Sequence, residues 1–226
     1  MHRPLVLLIR DGWGIGPDYP GNAVKAAKTP NMTALLAKHP NCVLGASGED
    51  VGVRGGSQGS SEVGHLNMGA GRVVEQEILR VDKMIRTGEL FRVPRFVEAV
   101  ELCKKNNSRF HLMGLVQDQG VHSTQEHLFA IIEYLAKAGV KNVCIHFIAD
   151  GRDTPPRSAL TYLATLEAVI AKCGVGQIAT VIGRYYAMDR ANNWTRVEKA
   201  YRAMRYGQGL KARSARQAIE AAYARA

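Results

Sequence analysis

The chain has 226 residues, of which 46% are hydrophobic and 22% charged, and its formal net charge is +10. This composition is ordinary for a globular protein that buries a core. No segment reaches the apolar length needed to span a bilayer, and the N-terminal apolar run is too short for a secretory signal. We therefore expect a cytoplasmic protein with no membrane partner.

The N-terminal part predicts a strand, a helix and a long glycine-rich segment. Leu5 to Ile9 is a short apolar run without helical periodicity, which is typical of a buried parallel strand. Pro30 to Lys38 reads as a helix, with proline in its first turn. Gly45 to Gly71 holds nine glycines. A helix near Gln76 to Thr87 would then connect this region to the rest of the chain.

From Phe110 onward, apolar runs alternate regularly with helical patterns. Short connections between such elements favour parallel strands joined by right-handed crossovers. The sequence therefore predicts the α/β class. The predicted strands are 110–116, 143–148 and 177–182, and the predicted helices are 125–137, 158–172, 192–204 and the alanine-rich 214–226.

The cysteines and the basic charge narrow the function classes. Four scattered cysteines with no CxxC pair exclude zinc-ribbon and redox motifs, so we expect reduced, mostly buried thiols. Aromatic residues make up only 7% of the chain, and no RNA-recognition signature is present. A small anionic substrate is therefore favoured over nucleic acid as the partner of the positive charge.

Polar side chains follow each predicted strand. Because ligands of open α/β sheets bind beyond the carboxyl ends of the strands, this pattern favours a shared pocket over a solvated rim. The candidates are Asp11 after the first strand, Asp118 and His122 after the second, Asp150, Arg152 and Asp153 after the third, and Arg184, Asp189 and Arg190 after the fourth.

These residue types suit an anionic ligand. The guanidinium forks of Arg152, Arg184 and Arg190 match phosphate or carboxylate, although ion pairs with the neighbouring aspartates are the alternative. His122 could act as an acid or base, donate to a phosphate, or be a loop histidine without a role. The two histidines inside strands, His111 and His146, are expected to be core residues with satisfied hydrogen bonds.

The segment GSQGSSEVGHLNMGAGR carries the clearest chemical signal. Its glycines allow close backbone approach, and Ser60, Ser61 and Glu62 stand where a helix could begin and bind an anion. We find no histidine at a spacing that would activate Ser61, and the G-x-S-x-G elbow is absent. Activation of Ser61 by a metal, with Asp11 as a ligand, is the remaining catalytic route. The alternative is a glycine-rich loop in which serine caps a helix.

Five long motifs resemble those of the cofactor-independent phosphoglycerate mutases, which belong to the alkaline phosphatase superfamily. They occur in collinear order and read LIRDGWG, GSSEVGHLNMGAGRVVEQE, HLMGLVQDQGVHSTQEHL, HFIADGRDTPPRSA and IGRYYAMDRANNWTRVEKAY. The resemblance implies a partial alkaline-phosphatase-like domain over residues 1–76 and a parallel-sheet α/β phosphotransferase domain over 77–226.

The resemblance also implies an activity and a set of site residues. The family interconverts 3-phosphoglycerate and 2-phosphoglycerate in glycolysis and gluconeogenesis, through a phosphoserine intermediate and with two divalent metal ions, usually manganese. Ser61 matches the nucleophile and a metal ligand, and Asp11 matches a ligand of the same metal. The substrate-binding residues that the resemblance implies are His122, Arg152, Asp153, Arg184 and Arg190.

The chain departs from the family pattern in three ways. Ser60 stands where family members usually have asparagine, and Gln117, Gln119 and Thr124 alter the loop around His122. Family enzymes are also much longer, and their remaining metal ligands lie in later sequence. We therefore expect an incomplete two-metal site and no activity of this chain alone, unless a second chain supplies the rest. A non-catalytic phosphoglycerate-binding module and a basic nucleic-acid binder are the alternatives.

Overall fold

The computed structural model describes residues 4–225 and divides the chain into two compact units, one ending at Leu79 and the other beginning at Arg80. The predicted division fell after Gln76, within the same connecting segment. The roles assigned to the two units, metal-binding and phosphotransferase, stay predictions. Within the described residues, no helix is both long and apolar enough to cross a membrane.

The first unit is built from short helices and irregular loops. Helix α2 has the predicted bounds, with proline in its first turn, and the glycine-rich segment leads into α3 at Ser61. The helices of this unit are α1 (Ala23–Ala26), α2 (Pro30–Lys38) and α3 (Ser61–Ala70), and α4 (Glu77–Arg86) crosses into the second unit.

The strand predicted over Leu5 to Ile9 is wrong for this chain. These residues are irregular, and the Leu5 and Val6 side chains are 94% and 84% exposed. A strand forms only when its N–H and C=O groups pair with a neighbouring strand, and no described segment pairs with this one. The apolar composition was read correctly, but composition alone does not provide a hydrogen-bonding partner.

The second unit is a three-stranded parallel sheet with helices packed on it. The strands lie in the order β1-β2-β3, with Phe110 opposite Val143 and Cys144 opposite Gln177, and a bulge interrupts the register between Ile145 and His146. The predicted α/β class is confirmed. The strands are β1 (Phe110–Leu115), β2 (Val143–Ala149) and β3 (Gln177–Gly183), and the helices are α5 (Pro94–Asn106), α6 (Gln125–Lys137), α7 (Ala159–Cys173), α8 (Arg184–Ala187), α9 (Trp194–Tyr206) and α10 (Ala215–Ala224).

The core lies between one face of the sheet and its helices. Alternate residues of β2, Val143, Ile145 and Phe147, point into it and are at most 3% exposed. Helices α6 and α7 pack against each other, and α10 packs on α7 and β3. This arrangement fixes the direction of all three strands, so the loops after them emerge at one edge of the sheet.

Two smaller predictions are corrected. His146 is buried and bonded to His111 Nδ1 and Thr180 Oγ1, both at 2.9 Å, as expected of a core histidine, but His111 is exposed. Burial, together with the neighbouring His111, lowers the pKa of His146. The four cysteines are free, but none is fully buried, and Cys42 is exposed.

Candidate functional site

Four of the predicted strand-end residues come together in the second unit. Arg184 Nη1 lies 2.7 Å from Asp150 Oδ1 and 2.6 Å from Asp153 Oδ2, and His122 Nε2 lies 3.8 Å from the same Asp153 oxygen. We call these four residues the strand-end cluster. They come from the loops after β1 and β2 and from the first residue of α8, which directly follows β3.

The two carboxylates and the guanidinium of the cluster are largely buried. The Asp150 side chain is 1% exposed, Asp153 15% and Arg184 12%. Burial opposes ionisation of Asp150, but hydrogen bonds from Arg184 and from the backbone N–H groups of Arg152 and Asp153 outweigh it, so its pKa lies below the ordinary value. The hydrogen bond that Arg184 donates to Asp150 likewise raises the pKa of Arg184. Asp150 and Arg184 are therefore both charged at neutral pH.

Ion pairing was the alternative role predicted for Arg152, Arg184 and Arg190, and only Arg184 forms such pairs within the described residues. Arg184 is paired, but inside the cluster rather than on a solvated surface. Arg152 and Arg190 are exposed, and neither makes an ion pair with another residue of the described range 4–225. Asp189 instead receives Arg196 Nη1 at 3.4 Å.

Side chains of Gln117 and Ser123 hold the loop after β1. Gln117 is completely buried; its amide donates to the Ser123 carbonyl at 2.8 Å, and its Oε1 accepts from the Gln119 N–H. Ser123 Oγ donates to the Leu115 carbonyl at 2.7 Å. The Thr124 Oγ1 is buried without a partner in the described residues. His122 thus stands on a loop whose ends are tied to β1.

Asp118 and Tyr162 lie beside the cluster. The Tyr162 hydroxyl donates to Asp118 Oδ1 at 2.9 Å, and Gln119 Nε2 donates to the same oxygen at 2.9 Å. The Gln119 bond, assisted by the Tyr162 bond against the effect of burial, lowers the pKa of Asp118. Burial, the Asp118 bond and the negative charges of Asp118 and Asp150 raise the pKa of Tyr162 to about 12. No motif in the sequence pointed to Tyr162, which lies in the first turn of an ordinary amphipathic helix, α7.

Ser61 is placed at the first turn of α3, in the first unit. Ser60 caps this helix by accepting from the Val63 N–H at 3.3 Å, as the capping alternative predicted. Gly59 precedes the cap, and a side chain there would overlap the carbonyl oxygen of Ala46. Glycine is therefore required at position 59, where the backbone passes close to Ala46 just before the cap.

The sequence showed no histidine at a spacing that would activate Ser61, but the structure places His65 beside it. His65 Nδ1 lies 3.2 Å from Ser61 Oγ, because residues four apart are neighbours on a helix. The same nitrogen lies 2.8 Å from the Ser61 carbonyl oxygen, which can only accept a hydrogen bond. Nδ1 therefore carries a proton, and it cannot take one from the Ser61 hydroxyl in this arrangement.

The predicted metal ligands do not form a metal site within the described residues. Asp11 lies in an exposed turn, and residues 4–225 contain no group of three or more His, Cys, Asp or Glu side chains placed to hold a metal ion. A divalent cation such as manganese needs more donors than one carboxylate and one hydroxyl. The donor set described here does not fit a two-metal centre.

Comparisons with known proteins agree with the sequence motifs. The family described as BPG-independent PGAM N-terminus matches residues 81–226. Two similar proteins are named 2,3-bisphosphoglycerate-independent phosphoglycerate mutase. The one from Chloroflexus aggregans is 53% identical to this chain, over 98% of this chain and 41% of that protein. The one from Acetivibrio thermocellus is 48% identical, over 98% of this chain and 43% of that protein.

A solved structure of Leishmania mexicana phosphoglycerate mutase, determined at low cobalt concentration, matches with a TM-score of 0.70 and 37% identity. The match covers 94% of this chain and 40% of that one. The chain thus spans about two fifths of the length of the relatives it matches. It belongs to the family of 2,3-bisphosphoglycerate-independent phosphoglycerate mutases.

Proposed function

We propose that the strand-end cluster binds phosphoglycerate and that the chain provides substrate-binding machinery of a phosphoglycerate mutase. The observation that carries this proposal is the largely buried Arg184, whose side-chain hydrogen bonds to residues of the described range all use Nη1. Its Nε and Nη2 remain available to an anion. A guanidinium binds phosphate or carboxylate through such a pair of parallel N–H groups.

Arg152 and Arg190 complete the proposed anion site. Both are exposed and carry charges that no ion pair within the described residues neutralises. Flexible side chains of this kind can close on a phosphate when it arrives. His122, 3.8 Å from Asp153, would donate to a ligand oxygen, while the Asp153 carboxylate would accept from a ligand hydroxyl.

Ser61 is the proposed acceptor of the phosphoryl group, giving the phosphoserine intermediate of an isomerase that exchanges 3- and 2-phosphoglycerate. Its place at the start of a capped helix supports this role, because free backbone N–H groups there favour negative charge. Asp11 and manganese remain predictions, since the described donors do not form a metal centre. A second polypeptide that supplies further ligands and a cytoplasmic location are likewise predictions.

Calorimetry with 3-phosphoglycerate tests the binding proposal directly. The chain, titrated without divalent metal, should bind, and Arg184→Gln should weaken binding about tenfold or more, since a paired charged contact is lost. Arg202→Gln is the matched control, because Arg202 is an exposed arginine paired with Glu198 on α9. Equal affinity of the wild type and Arg184→Gln would show that the cluster is not the site.

The alternatives are separated by two further assays. Appreciable conversion of 3- to 2-phosphoglycerate by this chain with manganese alone would contradict the expectation that it is inactive by itself. Binding without metal dependence and without turnover, in the presence of any candidate partner, would favour a binding module. Salt-dependent retention on single-stranded DNA, abolished by charge reversal after Arg184, is the result that a nucleic-acid binder requires.

A further inference from the structure

Asp150 has an unusual place in the strand-end cluster. It is the most deeply buried of the three charged groups there, and its Oδ1 accepts from Arg184 Nη1 at 2.7 Å and from the N–H groups of Arg152 and Asp153 at 3.2 and 3.4 Å. Its other oxygen, Oδ2, is buried and has no hydrogen-bond partner among the described residues. No residue role implied by the family resemblance includes Asp150.

The unpartnered oxygen argues against a purely structural explanation. A buried polar atom without a partner costs stability, so a loop that needed only a cap for two N–H groups would be served as well by an uncharged acceptor. What a carboxylate adds is its charge, and among residues 4–225 the only cation bonded to it is Arg184. The charge of Asp150 therefore acts on the guanidinium.

The hydrogen bonds to Arg184 restrict how its guanidinium can rotate. Asp150 and Asp153, three residues apart in the loop that follows β2, both bind Nη1. A planar guanidinium fixed at one nitrogen cannot rotate freely about its Nε–Cζ bond. The edge formed by Nε and Nη2, which makes no hydrogen bond within the described residues, is then held in one orientation.

We propose that Asp150 is a positioning residue: by fixing Nη1 of Arg184 and the backbone of Arg152 and Asp153, it presents the Nε–Nη2 edge to an anionic ligand. Asp153, 15% exposed and also next to His122, is the exchangeable partner that can turn to the ligand. The effect of Asp150 on ligand affinity rests on the proposed phosphoglycerate function. Its effect on the orientation of the Arg184 guanidinium does not depend on that function.

Nitrogen-detected NMR of the arginine side chains tests the positioning. The signals of Arg184 are assigned by their loss in Arg184→Lys, and exchange between its two Nη signals reports rotation about Nε–Cζ. Asp150→Asn keeps the shape and one acceptor but removes the charge; we expect rotation to become about tenfold faster or more. Thr180→Val is the control, since it removes the bond to His146 on the neighbouring strand without touching the cluster.

A second variant keeps the proposal falsifiable if Asp150→Asn does not fold. Asp153→Asn leaves Asp150 in place, so rotation of Arg184 should stay slow. Fast rotation in Asp153→Asn, or unchanged rotation in a folded Asp150→Asn, would overturn the proposal.

Affinity for 3-phosphoglycerate is the second readout. It should fall about tenfold in Asp150→Asn and stay unchanged in Thr180→Val. A loss of affinity in Asp150→Asn with no change in rotation would overturn positioning through Arg184. If the wild type binds no 3-phosphoglycerate, the proposed function fails, and the rotation rates still decide whether Asp150 holds the guanidinium.

Discussion

The hydrogen bond from Tyr162 to Asp118 can be tested by the removal of one atom. Tyr162→Phe keeps the ring, which is only 7% exposed in the core, and deletes the hydroxyl that donates to Asp118 Oδ1 at 2.9 Å. Asp118 keeps the bond from Gln119 Nε2 and is exposed to water, so it is not left unsatisfied. At neutral pH the free energy of unfolding should therefore fall by only about 1–2 kcal/mol.

The larger effect should appear at alkaline pH. The pKa of Tyr162 is raised to about 12 in the folded protein, against 10.0 for an ordinary tyrosine. The folded state thus holds its proton more tightly, so the stabilisation is complete below pH 10 and is lost as pH rises toward 12. A difference of about two pKa units corresponds to roughly 2.7 kcal/mol over this window, and about half of it is lost by pH 11.

Urea unfolding of the wild type and Tyr162→Phe between pH 9 and 11.5 measures this difference. Every other residue is the same in both proteins, so its contribution cancels in the comparison. The stability gap should narrow as pH rises, and the ultraviolet difference titration should show one tyrosine ionising near pH 12 in the folded wild type. A gap that stays constant, with that tyrosine ionising near pH 10, would refute the reasoning.

Two further substitutions test the core and the close backbone contact between Gly59 and Ala46. Phe147→Ala should lower the free energy of unfolding by about 3–5 kcal/mol in urea denaturation, because Phe147 is fully buried, whereas Tyr201→Ala, at a site 55% exposed, should change it by less than about 0.5 kcal/mol. Gly59→Ala should make the first unit more susceptible to limited proteolysis, because its new methyl group overlaps the Ala46 carbonyl; Gly55→Ala, where nothing lies within 4 Å, should not.

Local signals in the sequence were sufficient for most of the helices and strands of the second unit. Helix α6 runs from Gln125 to Lys137 as predicted, because its periodic apolar positions face α7 and Gly139, with φ +80°, ends it. The predicted helix from Asn192 begins two residues later, since Asn192 itself has φ +57°. Helix α5 was missed, although Pro94 at its first turn was a usable signal.

Pairings between distant residues were beyond the reach of the sequence. The strand-end rule grouped Asp150, Asp153 and Arg184 correctly, because parallel strands deliver their loops to one edge. It could not tell that Arg184 would bind both carboxylates through one nitrogen, or that Tyr162 would reach Asp118 from α7. The strand predicted at Leu5 to Ile9 failed for the same reason, since a strand depends on a partner elsewhere in the chain.

Because Arg184 is paired with two carboxylates, different features of the chain control the association rate and the dissociation rate of an anion. The carboxylates of Asp150 and Asp153 and the guanidinium of Arg184 sum to one negative charge. These three groups therefore do not attract anions from a distance. Long-range attraction comes from the chain as a whole, with its formal charge of +10, and added salt screens it. The Nε–Nη2 edge of Arg184 acts on an anion only after contact, through hydrogen bonds of fixed direction. Ionic strength should therefore slow association of phosphoglycerate much more than it speeds dissociation.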